Sequence, residues 1–182
     1  MKNLPNILTI FRIILIPIIL SLILLDTQNT NLFAFIAFIV ASLSDYFDGY
    51  LARKYNLTSN FGTMLDPIAD KLLVILVGFM LCYRGDINGI HLIPFLLIVS
   101  REVFISGIRE YLSQLDEKIS LPVSNLGKYK TAMQMLALFC LLLDPIMTNS
   151  LIVISELGVF LLWVASILSV LSGYQYYQRT PN

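Results

Sequence analysis

Long apolar runs separated by short polar breaks constrain the fold of this chain more than any other feature. Hydrophobic residues make up 57% of the 182 residues and charged residues only 13%, whereas roughly 25% of the residues in soluble domains are charged. Several runs approach the ~20 residues that a helix needs to span a bilayer. A single soluble core could not bury so much apolar surface. The sequence therefore predicts an all-α, polytopic membrane protein in which residues 1–182 form one domain.

The polar breaks divide the chain into six predicted transmembrane helices. We expect these helices at about residues 5–25, 32–53, 66–83, 92–112, 126–143 and 151–177. Eleven of the twelve lysines and arginines lie on the side of the two termini or lead towards it, and only Arg84 belongs to the opposite loops. Because positively charged loops are retained in the cytoplasm, both termini are predicted to be cytoplasmic.

Charge, cysteine and histidine usage exclude several classes of protein. The formal net charge is zero, which argues against a basic nucleic-acid-binding chain. Cys82 and Cys140 lie in apolar runs without metal-ligand spacing, so we expect them to be packed, free thiols. His91 is the only histidine and lies in a predicted loop, which disfavours histidine-based catalysis.

Four aspartates stand out because charges at bilayer depth are costly and usually functional. Asp45 and Asp48 share one face of the second helix, and Asp66 and Asp70 share one face of the third. The short loop between these helices predicts that they pack antiparallel, which would bring the two pairs together. At 1.5 Å per residue, Asp45 and Asp48 lie roughly 20 and 24 Å into the second helix, near the cytoplasmic edge of a ~30 Å hydrocarbon core.

Other residues of this stretch bear on ligand binding and on where the third helix begins. Gly49 and Ala52 lie on the stripe of Asp45 and would let a ligand approach the backbone, while Arg53 can pair with a phosphate or with the acids. Pro67 suits the first position of a helix, which predicts that Asp66 is its N-cap.

Four converging carboxylates would repel one another unless protons or cations neutralise them. Oxygen ligands without histidine or cysteine favour Mg²⁺ or Mn²⁺ over zinc, and a two-metal site suits phosphoryl transfer. The alternative is that the acids are solvated or paired with Arg53, Lys54 and Lys71.

The complete pattern, DxxDGxxARx8GxxxDxxxD, resembles the signature of the CDP-alcohol phosphatidyltransferase family. It is formed by Asp45, Asp48, Gly49, Ala52, Arg53, Gly62, Asp66 and Asp70. The resemblance implies a six-helix, homodimeric membrane fold and two divalent metals, Mg²⁺ or Mn²⁺, held by the four aspartates. It also implies that Gly49, Ala52, Arg53 and Gly62 bind CDP and that Asp70 is the general base. In the reaction of this family, an alcohol hydroxyl attacks the lipid phosphate of a CDP-linked lipid and CMP is released.

Three further segments resemble the bacterial phosphatidylglycerophosphate synthase branch of this family. They are residues 5–12, 100–110 and 127–131. This resemblance implies an enzyme of the bacterial inner membrane that uses CDP-diacylglycerol and sn-glycerol 3-phosphate to make phosphatidylglycerophosphate and CMP. It also suggests that Thr9 and Arg12, which share a helix face, help to bind the nucleotide or its diphosphate. For Arg12, an interfacial anchor is the alternative.

Cations outside the aspartate stretch favour an anionic acceptor. Arg101 and Arg109 lie on adjoining parts of one helix face, and Lys128 and Lys130 begin the next helix. These four residues are predicted to bind the acceptor phosphate. The alternative for the lysines is that they serve only as topology signals.

Two other functions remain open at this point. Another branch of the family, such as a cardiolipin or phosphatidylinositol phosphate synthase, would share the aspartates but use a different acceptor. A divalent-cation transporter would use the acids as its transport site, although such sites lie near the bilayer midplane and often between repeats. The predicted acids lie at one membrane edge, and the sequence contains no evident repeat.

Overall fold

The computed structural model describes residues 4–55, 60–115, 125–147 and 154–178. Within these ranges, the side chains of residues 4–7, 45–55, 60–64, 66, 113–115 and 125 are not described. The described part contains six α-helices and no strand: α1 Leu4–Leu25, α2 Gln28–Tyr55, α3 Asn60–Arg84, α4 Leu92–Leu115, α5 Asn125–Leu143 and α6 Ile154–Gln178. Two short 3-10 helices, Gly89–His91 and Asp144–Ile146, complete it. The prediction of an all-α protein is confirmed for these residues.

Four helical segments in the described residues are long and apolar enough to cross a membrane. They are Leu8–Leu25, Gly89–Leu112, Leu126–Ile146 and Ile154–Gln178. A shorter apolar helical stretch, Gln28–Ser44, lies in α2. These segments indicate a membrane protein, while the predicted count of six spans stays a prediction.

The helices pack in two groups that share α5. In one group α1 contacts both α2 and α3, and in the other α4 contacts α6; α5 packs against α6 and also against α2 and α3. A continuous apolar core that includes Ile19, Phe38, Leu73, Phe95 and Leu141 joins these helices. Large apolar side chains on the outer faces, such as Phe33 and Phe160, remain exposed, as expected of helices that face lipid. The direct contact predicted between α2 and α3 stays a prediction.

The beginning of α3 differs from the sequence-based expectation. This helix begins at Asn60, so Pro67 lies inside it and Asp66 is a helical residue rather than the N-cap. The prediction was wrong because Pro67 suits a first turn but does not require one. In the helix interior proline removes only the hydrogen bond that its own N–H would donate and crowds the preceding turn, which the packing of a long helix can offset.

A polar cluster centred on Arg84 closes the end of the molecule opposite the amino-terminal part of α3. Arg84 Nε lies 2.6 Å from Asp86 Oδ2, and its guanidinium also donates to Asn31 Oδ1 at 3.1 Å and to the Leu141 carbonyl at 3.3 Å. Burial raises the pKa of Asp86, although the hydrogen bond and charge of Arg84 oppose this shift. The one cation predicted for this side is therefore a connector between the ends of α2, α3 and α5.

Candidate active site

A polar cavity of about 150 Å³ lies between α3, α4 and α5. It is lined by Pro67, Asp70, Lys71, Arg101, Glu102, Ile105, Ser106, Arg109, Gly127, Lys130 and Thr131. The amino-terminal part of α3, the carboxyl-terminal part of α4 and the first turns of α5 supply these residues. Four cationic side chains thus face two acidic ones in a space enclosed by apolar helices, an arrangement suited to an anionic ligand.

Glu102 is the acidic centre of this cavity. Its Oε1 accepts a hydrogen bond from Lys130 Nζ on α5 and another, at 3.3 Å, from Arg101 Nη1 on α4. Glu102 and Lys130 are only 8% and 5% exposed. Buried charges are tolerated when they are paired and hydrogen-bonded in this way.

Arg101 and Arg109 both line the cavity, which is consistent with their predicted placement on adjoining parts of one face of α4. Arg101 Nη2 donates to Ser172 Oγ of α6 at 3.2 Å. The Arg109 guanidinium carbon lies 5.3 Å from the centre of the Tyr176 ring, also on α6, within the range of a cation–π interaction. Both arginines therefore contact residues in the last turns of α6.

Lys71 reaches the cavity from α3 and is held by α4. Its Nζ donates to Ser106 Oγ, which in turn donates to the Glu102 carbonyl at 2.5 Å. The sequence alone indicates Lys71 only as a possible partner of the aspartates. The signal available in the sequence is the position of Lys71 next to Asp70. The sequence does not show that α4 packs beside this turn of α3, and that packing places Lys71 in the cavity wall.

Asp70 links the cavity to the aspartate pattern, since its half-buried side chain lies on the cavity wall. The backbones of Asp45 and Asp48 are in α2 and that of Asp66 is in α3, one turn before Asp70. The side chains of Asp45, Asp48, Ala52, Arg53 and Asp66 are not described, and Gly49 and Gly62 are described only as backbone positions of α2 and α3. Among the described residues no cluster of three or more metal-ligating side chains occurs, so the metal site stays a prediction.

Thr9 and Arg12 are completely buried on α1, each with 0% exposure. Their helix packs against α2 and α3, the two helices that contain the aspartates. Complete burial argues against the alternative of an interfacial anchor for Arg12, because an anchoring side chain extends its charged group to the aqueous surface. A guanidinium in this setting is a functional-site candidate.

Lys128 and Lys130 have different environments although they are only two positions apart. Lys130 lines the cavity, whereas Lys128 is exposed and is absent from the cavity wall. Two helical positions differ by about 200° in direction, so residues two apart point to nearly opposite sides.

Cys82 and Cys140 are free thiols, as predicted.

A second, mostly apolar groove of about 610 Å³ runs along α4 and α6. It is lined by Leu97, Ser100, Arg101, Phe104, Ile105, Val170, Gly173, Tyr174 and Tyr177. Arg101 and Ile105 belong to both linings. The polar cavity therefore adjoins the apolar groove at these two residues.

Comparison with known proteins adds to this geometry. The family model described as CDP-alcohol phosphatidyltransferase matches residues 2–171. A Rickettsia typhi protein named CDP-diacylglycerol–glycerol-3-phosphate 3-phosphatidyltransferase is 45% identical over 178 residues, which cover 98% of this chain and 97% of the relative. Proteins of the same name from Wigglesworthia glossinidia brevipalpis and Haemophilus influenzae are 40% and 39% identical, over 96% and 97% of this chain and 93% and 92% of the relatives.

Proposed function

This chain belongs to the CDP-alcohol phosphatidyltransferase family, and from that premise we propose that it transfers a phosphatidyl group from CDP-diacylglycerol to sn-glycerol 3-phosphate. The products would be phosphatidylglycerophosphate and CMP. The names of its relatives support this donor and this acceptor. The complete aspartate signature supports the reaction class.

One observation carries the choice of acceptor. Asp70, the last aspartate of the signature, lines the same cavity as Arg101, Arg109 and Lys130. A phosphorylated alcohol could place its phosphate against these cations while its hydroxyl faces Asp70. A neutral acceptor such as serine or inositol would not require so many cations in a buried wall, because burying a charge is costly.

Asp70 acts as the general base in this proposal. Its carboxylate accepts the proton of the acceptor hydroxyl as the oxygen attacks the phosphorus that bears the diacylglycerol. A new P–O bond forms, the P–O bond to CMP breaks, and CMP leaves with the electron pair. Arg109 and Lys130 hold the acceptor phosphate. Arg101, which lies on α4 like Arg109, adds a further positive charge to the same cavity. Lys128 stays a weaker candidate for this role because of its exposed position.

The four aspartates, Asp45, Asp48, Asp66 and Asp70, would hold two Mg²⁺ or Mn²⁺ ions. The donor set fits hard divalent cations: it consists of carboxylates, and the lining of the cavity beside Asp70 includes no histidine or cysteine. When bound, the ions supply positive charge for the diphosphate and the leaving CMP. Thr9, Arg12, Arg53 and the glycines and alanine of the signature would bind the CDP portion.

The location of the enzyme follows from the same reasoning. The cavity and the aspartate signature lie towards the ends of the helices where the lysines and arginines are concentrated, so the positive-inside rule supports a site that opens to the cytoplasm. We infer an inner-membrane enzyme with six spans, cytoplasmic termini and a homodimeric state.

The test is an assay of the purified protein with Mg²⁺ and CDP-diacylglycerol, with each candidate acceptor added separately. CMP release and a phosphatidylglycerophosphate product are expected with glycerol 3-phosphate. Activity with serine, phosphatidylglycerol or inositol phosphate but not with glycerol 3-phosphate would refute the proposed acceptor. Asp70→Asn is expected to reduce turnover by about 10²-fold or more, and near-normal turnover would refute the base assignment.

A further inference from the structure

Glu102 has no role in the reaction as proposed, yet it lies in the cavity assigned to the acceptor phosphate. Its carboxylate is buried, and Oε1 accepts hydrogen bonds from Lys130 and Arg101. An acid in a phosphate-binding cavity repels the ligand. Its presence among the cations therefore needs a physical explanation.

The two cations that Glu102 contacts come from different helices and lie away from water. Lys130, on α5, is 5% exposed, and Arg101, on α4, is only partly accessible. An isolated charge in such a place is costly, and the four-carbon stem of a lysine can adopt many rotamers. A shared carboxylate oxygen stabilises both charges and restricts where Lys130 Nζ and Arg101 Nη1 can lie.

The backbone of Glu102 orders a third cation. Its carbonyl accepts the hydroxyl of Ser106 at 2.5 Å, and Ser106 Oγ accepts a hydrogen bond from Lys71 of α3. Any residue at position 102 would supply this carbonyl, so the carboxylate of Glu102 itself contacts the cations of α4 and α5. Ser172 holds the far side of Arg101 at 3.2 Å, so that guanidinium is fixed from two directions.

We propose that Glu102 is the positioning residue of the acceptor site, and that it acts mainly through Lys130. The inference rests on the proposed function because it takes a phosphate as the ligand. Four cationic and two acidic side chains line the cavity, which leaves an excess of two positive charges. A phosphate monoester carries about −1.5 to −2 charges at neutral pH, so the lining still attracts it although Glu102 is present.

Glu102→Gln tests this role because it removes the charge while nearly preserving the shape. The KM for glycerol 3-phosphate is expected to rise about tenfold, as Lys130 loses a charge-assisted hydrogen bond and its fixed position. The KM for CDP-diacylglycerol should change by less than about twofold, since the donor does not contact Glu102 in the proposal. An unchanged KM for glycerol 3-phosphate, or an equal rise in both KM values, would overturn the inference.

A double-mutant cycle with Lys130→Met identifies the residue through which Glu102 acts. Each single variant should raise the KM for glycerol 3-phosphate, and the double variant should raise it no further than Lys130→Met alone. Effects that multiply would show that Glu102 does not act through Lys130, which contradicts the proposal.

Two further variants serve as a charge control and as a substitute in case Glu102→Gln does not fold. Glu110→Gln removes a charge of the same kind from the same helix but outside the cavity lining, and it should leave both KM values within about twofold. If Glu102→Gln does not yield folded protein by gel filtration, Glu102→Asp takes its place. This variant keeps the charge on a shorter stem, so a several-fold rise in the KM for glycerol 3-phosphate supports the proposal and an unchanged value refutes it.

The two proposals fail in different ways. If the wild-type protein makes no product from glycerol 3-phosphate, the proposed function is wrong. If the wild-type protein is active and the Glu102 variants keep its KM for glycerol 3-phosphate, only the role of Glu102 is wrong.

Discussion

Gly173 of α6 leaves the space through which Arg101 of α4 extends. A Cβ atom at Gly173 would lie 3.2 Å from Arg101 Cγ and 3.5 Å from Arg101 Nε. Arg101 can therefore lie along α6 and donate to Ser172 Oγ while it also contacts Glu102. The absence of a side chain at Gly173 thus leaves room for Arg101 beside α6.

Gly173→Val is expected to displace Arg101 and to raise the KM for glycerol 3-phosphate several-fold. A branched side chain adds atoms where a single Cβ would already be tighter than an ordinary contact. Steady-state kinetics in detergent would measure the effect. Gly107→Ala is the matched control, because a Cβ at Gly107 of α4 would meet no atom within 4 Å and alanine favours helix. Equal kinetics for the two variants would contradict this role of Gly173.

Removal of divalent cations is expected to abolish CMP release. The four aspartates would then lack the ions that balance their charges and that stabilise the diphosphate. Treatment with EDTA followed by titration with Mg²⁺ or Mn²⁺ would measure the requirement. Asp45→Asn should raise the metal concentration needed for half-maximal activity. Full activity in EDTA would contradict the metal proposal.

Arg12→Met is expected to raise the KM for CDP-diacylglycerol by about tenfold or more, with little change in the KM for glycerol 3-phosphate. Arg12 is completely buried on the helix that packs against α2 and α3, and a guanidinium binds phosphate oxygens with two parallel hydrogen bonds. Arg12→Lys keeps the charge but loses this geometry, so an intermediate effect is expected. A rise in the KM for glycerol 3-phosphate alone would place Arg12 at the other substrate.

Asp86 is expected to make thermal stability depend on pH in the acid range. Because burial raises its pKa above the ordinary value of 3.8, the folded state binds this proton more tightly than the unfolded chain does. The stabilisation is fully present below that ordinary value and is lost as the pH rises through the raised pKa of the folded state. Asp86→Asn cannot lose a proton there, so its Tm relative to wild type should increase as the pH rises through this window. Parallel Tm curves for the two proteins would contradict the prediction.

Much of the fold could be predicted from the sequence because bilayer-spanning helices have a strong local signal. The beginnings and ends of α1, α4 and α5 lie within a few residues of the predicted positions. The beginning of α3 was predicted wrongly because Pro67 tolerates two different helical positions.

The candidate site was only partly predictable for a different reason. The spacing of Arg101 and Arg109 indicates a shared face without any knowledge of the neighbouring helices. The roles of Lys71 and Ser172 depend on which helices lie beside α4, and no pattern within α3 or α6 contains that information. The difference between Lys128 and Lys130 likewise depends on which side of α5 faces the cavity.

The amino-acid sequence by itself determined that this chain is helical and apolar, and its aspartate signature identified the reaction class. These properties depend on residues close together in the chain, where helix periodicity and transfer free energies operate. Only the tertiary structure decided which cations share a cavity with Asp70 and that Glu102 lies at their centre. Contacts between α3, α4, α5 and α6 make that arrangement, because a buried charge is stabilised by whichever partner the packed helices bring within hydrogen-bonding distance.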